Sequence, residues 1–74
     1  MSMMTRDDHM NWCKARAREY LQHGDLVNAA ASMASDIRKH EETATIPAAE
    51  LLLGAMMAAS GDTNGVRNWI EGFT

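Results

Sequence analysis

An all-α fold of four short helices, set as two helical hairpins in one small bundle, is predicted by three observations. Val and Ile are few, and the aromatics are only Trp12, Tyr20, Trp69 and Phe73, so strand formers are scarce and no alternating apolar–polar run stands out. Alanine and methionine, which a helix tolerates well, are plentiful. Two Gly-Asp junctions, Gly24-Asp25 and Gly61-Asp62, lie 37 residues apart between helix-patterned stretches. Their surroundings match loosely: Tyr20, Leu26, Ala29 and Met33 around the first answer to Met57, Thr63, Val66 and Ile70 around the second.

The first helix is expected from about Arg6 to Gln22. Thr5 is a fair N-cap, and Asp7 and Asp8 fall in the first turn, where the helix dipole favours negative charge. Met10, Cys13, Ala17, Tyr20 and Leu21 form its apolar stripe, with Trp12 at the flank. Gly24 ends it by taking the left-handed conformation. The second helix is expected from about Leu26 to Lys39, with Asp25 as N-cap and Leu26, Ala30, Met33 and Ile37 facing inward. Asp36, Arg38, Lys39 and His40 crowd its end, where the basic side chains read as C-terminal capping. The stretch 41–46 is the connection between hairpins.

The third helix is expected from about Pro47 to Ser60, capped by Thr45 or Ile46. Leu51, Leu52, Leu53, Met56 and Met57 cover most of its circumference, and Glu50 is its only charge. Such a helix is either the central core element or is buried in part by a second subunit. Gly54 in mid-helix points to a close helix crossing. The fourth helix is expected from about Asn64 to Glu71, capped by Thr63 or Asn64, with Val66, Trp69 and Ile70 inward. Gly72-Phe73 reads as a Schellman end that anchors Phe73. The residues expected to carry the fold are Tyr20, Gly24, Leu26, Met33, Ile37, Leu52, Met56, Trp69 and Phe73.

Seventy-four residues make one domain, 1–74, with residues 1–4 expected to be disordered. A chain of this size buries roughly 60% of the surface its unfolded form exposes, so added buried area is valuable. One cysteine excludes an internal disulfide and fits a reducing cytosol. Self-association is the natural supplement, and a homodimer through Leu53, Met56 and Met57 is expected. A net charge of −3 weighs against nucleic acid and against a basic peripheral membrane helix. No apolar run approaches the ~20 residues that span a bilayer, and the acidic N-terminus lacks the apolar core of a signal segment.

Chemistry is sparse. His9 and Cys13 share one turn and one face, with His23 and His40 elsewhere, but no tight Cys/His double spacing marks a metal site. Cys13 as a nucleophile lacks an orienting third group beyond His9. Neither a catalytic residue nor a cofactor is therefore assigned. Lys14, Arg16 and Arg18 make a basic stretch beside Trp12, which supports an alternative of nucleic-acid or nucleotide binding by a homodimer. Trp12, Arg16 and Arg38 are the expected partner surface.

Two resemblances add to this. Tyr20, Gly24-Asp25, Ala29 and Met33 are locally similar to a tetratricopeptide repeat, although the spacing here is 37 residues and only two units exist. The string Trp12-Cys13-Lys14-Ala15-Arg16-Ala17, Glu19-Tyr20, Gly24-Asp25-Leu26, Ala31-Ser32-Met33, Ser35-Asp36, Lys39-His40, Glu42-Thr43 and Ile70-Glu71-Gly72-Phe73 resembles a group of small proteins encoded by tailed bacteriophages. That pattern has proline after the Lys-His pair, where this chain has Glu41. The resemblance implies a phage or prophage accessory protein without catalytic activity in the host bacterial cytoplasm. Its expected partner is a host protein, with counter-defence or host takeover as the outcome.

Overall fold

A computed structural model describes residues 5–73, and the expectation for residues 1–4 lies outside them. Four helices follow one another: α1 (Arg6–Gln22), α2 (Leu26–Ile37), α3 (Ala48–Ala59) and α4 (Thr63–Glu71). No strand occurs among the described residues. The fold is the expected all-α one, and α1 has the expected bounds. Thr5 caps α1 by accepting from Asp8 N–H at 3.1 Å.

The two Gly-Asp junctions are the same joint built twice. Gly24 and Gly61 have φ of 72° and 75°, the left-handed region that glycine enters at least cost. Asp25 N–H reaches Tyr20 O at 3.0 Å, and Asp62 N–H reaches Met57 O at 2.9 Å. Gly24 N–H bonds to Leu21 O and Gly61 N–H to Ala58 O, which completes a Schellman end in each case. Each aspartate then caps the following helix: Asp25 accepts from Asn28 N–H at 3.2 Å and Asp62 from Gly65 N–H at 2.8 Å. The cap of α4 is therefore Asp62, not Thr63 or Asn64, because the tight joint makes one residue serve both helices.

Other ends depart from expectation. Pro47 stands at the N-cap of α3 with no side-chain bond, so neither Thr45 nor Ile46 caps it. Helix α2 stops at Ile37, two residues early. Its last carbonyl, Ile37 O, accepts from the hydroxyl of fully buried Thr43. Lys39 does not cap α2, because its ammonium donates to the Asp36 carboxylate instead. Gly72 has φ −74°, so α4 ends without a left-handed residue, yet Phe73 is buried as expected.

The core joins Met10, Cys13 and Ala17 of α1, Ala29, Ala30, Met33 and Ile37 of α2, Leu51 and Ala58 of α3, and Val66, Ile70 and Phe73 from α4 onward. Helix α2 touches all three other helices, as does α4, whereas α3 touches only α2 and α4. Helix α3 is therefore an edge, not the central element. The body measures 39 × 24 × 16 Å, too thin to cover a helix on every side. Tyr20, Leu52 and Met56, expected inside, are exposed for this reason. Gly54 does mark a close crossing: a methyl there would lie 2.5 Å from indole carbons of Trp69. Helix α4 closes back on α1 through Arg18, whose guanidinium grips Glu71 with two bonds of 2.8 Å, and through Lys14, which donates to Glu71 O. Phe73 thereby shares a surface depression with Asp7 and Met10 at the start of α1.

Candidate interaction surface

Two surfaces gather the residues singled out by the sequence. The first is a polar cluster where α1 crosses the end of α2. Asp36 sits on the inward side of α2, one turn beyond Met33, and is 1% exposed. Its carboxylate accepts from Arg16 Nε at 2.7 Å, from Lys39 Nζ at 2.9 Å and from Ser32 Oγ at 3.3 Å. Burial opposes ionisation of Asp36, but the bonds from Lys39 and Arg16 overcome it and hold the carboxyl below its usual value. Above the pair lies Trp12, with Arg16 Cζ 4.9 Å and Lys39 Nζ 5.5 Å from its ring centroid. The His9 ring packs against both Trp12 and His40, at 5.6 and 5.2 Å between centroids.

This cluster fixes the tautomer of His9. His9 is buried and its Nε2 lies 2.7 Å from Asp36 O, a carbonyl that can only accept, so Nε2 carries the hydrogen. That nitrogen has no lone pair for the Cys13 thiol 3.4 Å away, nor for a metal. Cys13 is fully buried; burial first, and the Asp36 charge second, push its thiol up to about 11. The neutral thiol is a packing group there, not a nucleophile. Among the described residues no three His, Cys, Asp or Glu side chains come together as a metal-holding group.

The basic stretch of helix α1 is occupied within the chain. Arg16 is bound to Asp36, while Lys14 and Arg18 are bound to Glu71. The bond from Arg18 holds the Glu71 carboxyl below its usual range. A phosphate approaching these cations would share them with Asp36 and Glu71, whose charges already offset theirs.

The second surface is the outer side of α3. Leu52, Leu53 and Met56 are 60%, 53% and 66% exposed, and Ala48, Ala49, Ala55 and Ala59 are exposed around them. Ala49, Leu52, Met56 and Ala59 follow one another at spacings of three, four and three, the seam along which one helix packs on another. Met57 is half-buried against the core, so it supports α3 from beneath. On one flank a groove of about 660 Å³ separates α3 from α2, lined by Ala34, Ser35, Arg38, Lys39, Ala48, Leu51, Leu52 and Ala55. On the other flank Leu53 borders a depression with Glu50, Trp69 and Phe73.

The structure thus divides the predicted partner residues. Trp12 and Arg16 belong to the polar cluster, Arg38 to the α2–α3 groove, and Leu53 and Met56 to the exposed face of α3. Leu52 and the buried pair His9 and Asp36 were not read from the sequence as part of these surfaces. Their signal was present: Asp36 falls in register with Ala29 and Met33, and His9 with Cys13 and Ala17, at helical spacing on inward faces. No helix among the described residues is long and apolar enough to cross a membrane. No family model, curated protein or solved structure matches the chain.

Proposed function

We propose that the chain is a small non-catalytic protein-interaction module whose contact surface is the outer face of α3. The observation that carries this reading is the apolar seam itself. Three large side chains stand more than half exposed on one helix, flanked by alanines and a single carboxylate, Glu50. Large exposed apolar patches on small domains mark contact sites. Methionine suits such a surface because its flexible thioether adapts to its neighbour.

In this reading the seam also supports a homodimer, through Leu53 and Met56 with Met57 behind them. The sequence resemblance to small tailed-phage proteins supports reading the module as an accessory protein that acts on a host protein in a bacterial cytoplasm. The nucleic-acid alternative is the weaker reading, because the chain carries a net charge of −3 and Lys14, Arg16 and Arg18 each share their charge with an acceptor inside it.

Sedimentation velocity of the protein beside a Leu53→Glu, Met56→Glu variant tests the reading, together with capture from nuclease-treated bacterial lysate. Loss of self-association or of a stoichiometric protein partner, in a variant with native circular dichroism, is expected. Unchanged behaviour in both assays would remove α3 as the contact surface.

A further inference from the structure

We infer that the groove between α2 and α3 receives an amphipathic helix of a partner protein whose apolar stripe is flanked by acidic residues. This rests on the interaction-module reading and adds the chemistry of the occupant. The groove has Ala34 and Arg38 on one wall, Lys39 at its end, and Ala48, Leu52 and Ala55 on the other. Alanines on both walls let another helix axis approach closely, and Leu52 at the rim supplies an anchor. The length of α3, about 18 Å at 1.5 Å per residue, matches three to four turns of an incoming helix.

Charge selects the occupant. The chain carries a net −3, yet the only charges lining this groove are the cations of Arg38 and Lys39. Arg38 is set apart from the other arginines. Arg6 pairs with Asp7, Arg16 with Asp36, Arg18 with Glu71, and Arg67 bonds to Asn64. Arg38 has no ion pair or side-chain hydrogen bond among the described residues, and is exposed. Lys39 gives one hydrogen bond to Asp36 and has further donors to offer. A guanidinium at the edge of an apolar groove is suited to bidentate capture of a carboxylate. A second copy of this chain would bring only Glu50 from its own α3, and Glu50 lies on the opposite flank beside Trp69. An acidic partner helix therefore fits the groove better than the α3 of a second copy does.

The test uses two fluorescein-labelled synthetic helical peptides of about 18 residues. They share one Leu/Ala seam and differ in flanks of glutamate or lysine. Anisotropy titrations use the full chain, its Arg38→Glu variant and its Leu52→Asp variant, each checked for native circular dichroism. The glutamate peptide should bind at least about tenfold tighter than the lysine peptide. Arg38→Glu should erase or invert that preference, and Leu52→Asp should weaken both peptides. Equal affinity for the two peptides, no binding of the glutamate peptide, or indifference to Arg38→Glu would overturn the inference. If Leu52→Asp abolishes a dimer that the glutamate peptide cannot displace, the groove belongs to a second copy; the inference fails and the interaction module survives. Absence of both peptide binding and α3-dependent association would remove both.

Discussion

The indole of Trp69 lies flat against the backbone of Gly54, and its Nε1–H donates to Glu50 O at 2.7 Å, one turn earlier on the same helix. Trp69 also packs edge-to-face with Phe73, at 5.2 Å between centroids and an angle of 80°. One side chain thus fixes both the distance and the rotation of α4 on α3. The glycine, costly in a helix interior, is retained because any β-carbon would collide with a ring that is held at its far end.

Gly54→Ala should therefore destabilise the protein, although alanine is the better helix former by about 1 kcal/mol. Overpacking against a held ring costs about 1–3 kcal/mol and should exceed that gain. Urea denaturation measures the difference, and an altered Trp emission in a Trp12→Phe background would locate it at Trp69. Equal or greater stability in the variant would show that the crossing can open freely.

Asp36→Asn should lower stability by about 1–3 kcal/mol, because charge-assisted bonds from Arg16 and Lys39 are lost while the site stays buried. The folded carboxyl titrates below its ordinary value, so its contribution is present in full above the unfolded value of about 3.9. That contribution disappears as pH falls through the folded value. The gap between wild type and variant should accordingly hold from pH 7 to about pH 5 and narrow only below about pH 4. A gap that stays constant with pH would mean that Asp36 acts by shape alone.

Gly24→Ala and Gly61→Ala should cost nearly equal amounts, about 1–2 kcal/mol each, which is the penalty of a left-handed L-residue. No atom lies within 4 Å of an added β-carbon at either site, so backbone strain is the whole effect. D-alanine, introduced by chemical synthesis, should restore stability at both. A large inequality between the two sites would show that the joints differ in more than sequence position.

Cys13 should resist thiol reagents in the native state, since its sulfur is buried and remains protonated at neutral pH. Labelling by a disulfide reagent at pH 8 should follow the opening of the α1–α2 contact and accelerate in Asp36→Asn. Rapid stoichiometric labelling of the folded protein would contradict the placement of α1.

Much of the fold was legible because its signals are local. Thr5, Gly24 and Asp25 act on their own neighbours, so α1, the first joint and the cap of α2 follow from residue type. The second joint repeats those atoms, and only the competing hydroxyl of Thr63 and amide of Asn64 obscured Asp62 as the cap. The stop at Ile37 was hidden because Thr43, six residues away, satisfies its carbonyl, and that depends on the path of the connection. The position of α3 was hidden for a different reason. Periodicity tells which residues share a face, whereas what covers that face is decided by the other helices. Leu51 and Leu52 are adjacent and chemically identical, yet one is 6% and the other 60% exposed. The polar cluster was missed because Asp36 was grouped with the basic residues at the end of α2, although it stands in the apolar register of that helix.

Phe73, tucked beside Asp7 and Met10, brings the far end of α4 to the beginning of α1. Within residues 5–73 the path of the backbone nearly closes on itself at that point. A gene encoding α3–α4 ahead of α1–α2, with a short flexible bridge from Phe73 to Thr5 and new ends at the exposed Ala44–Thr45 bond, would specify the same body. In such a permuted chain the Trp12 cluster, the α2–α3 groove and the seam of α3 would keep their mutual positions, although α2 and α3 would no longer be joined by a covalent link.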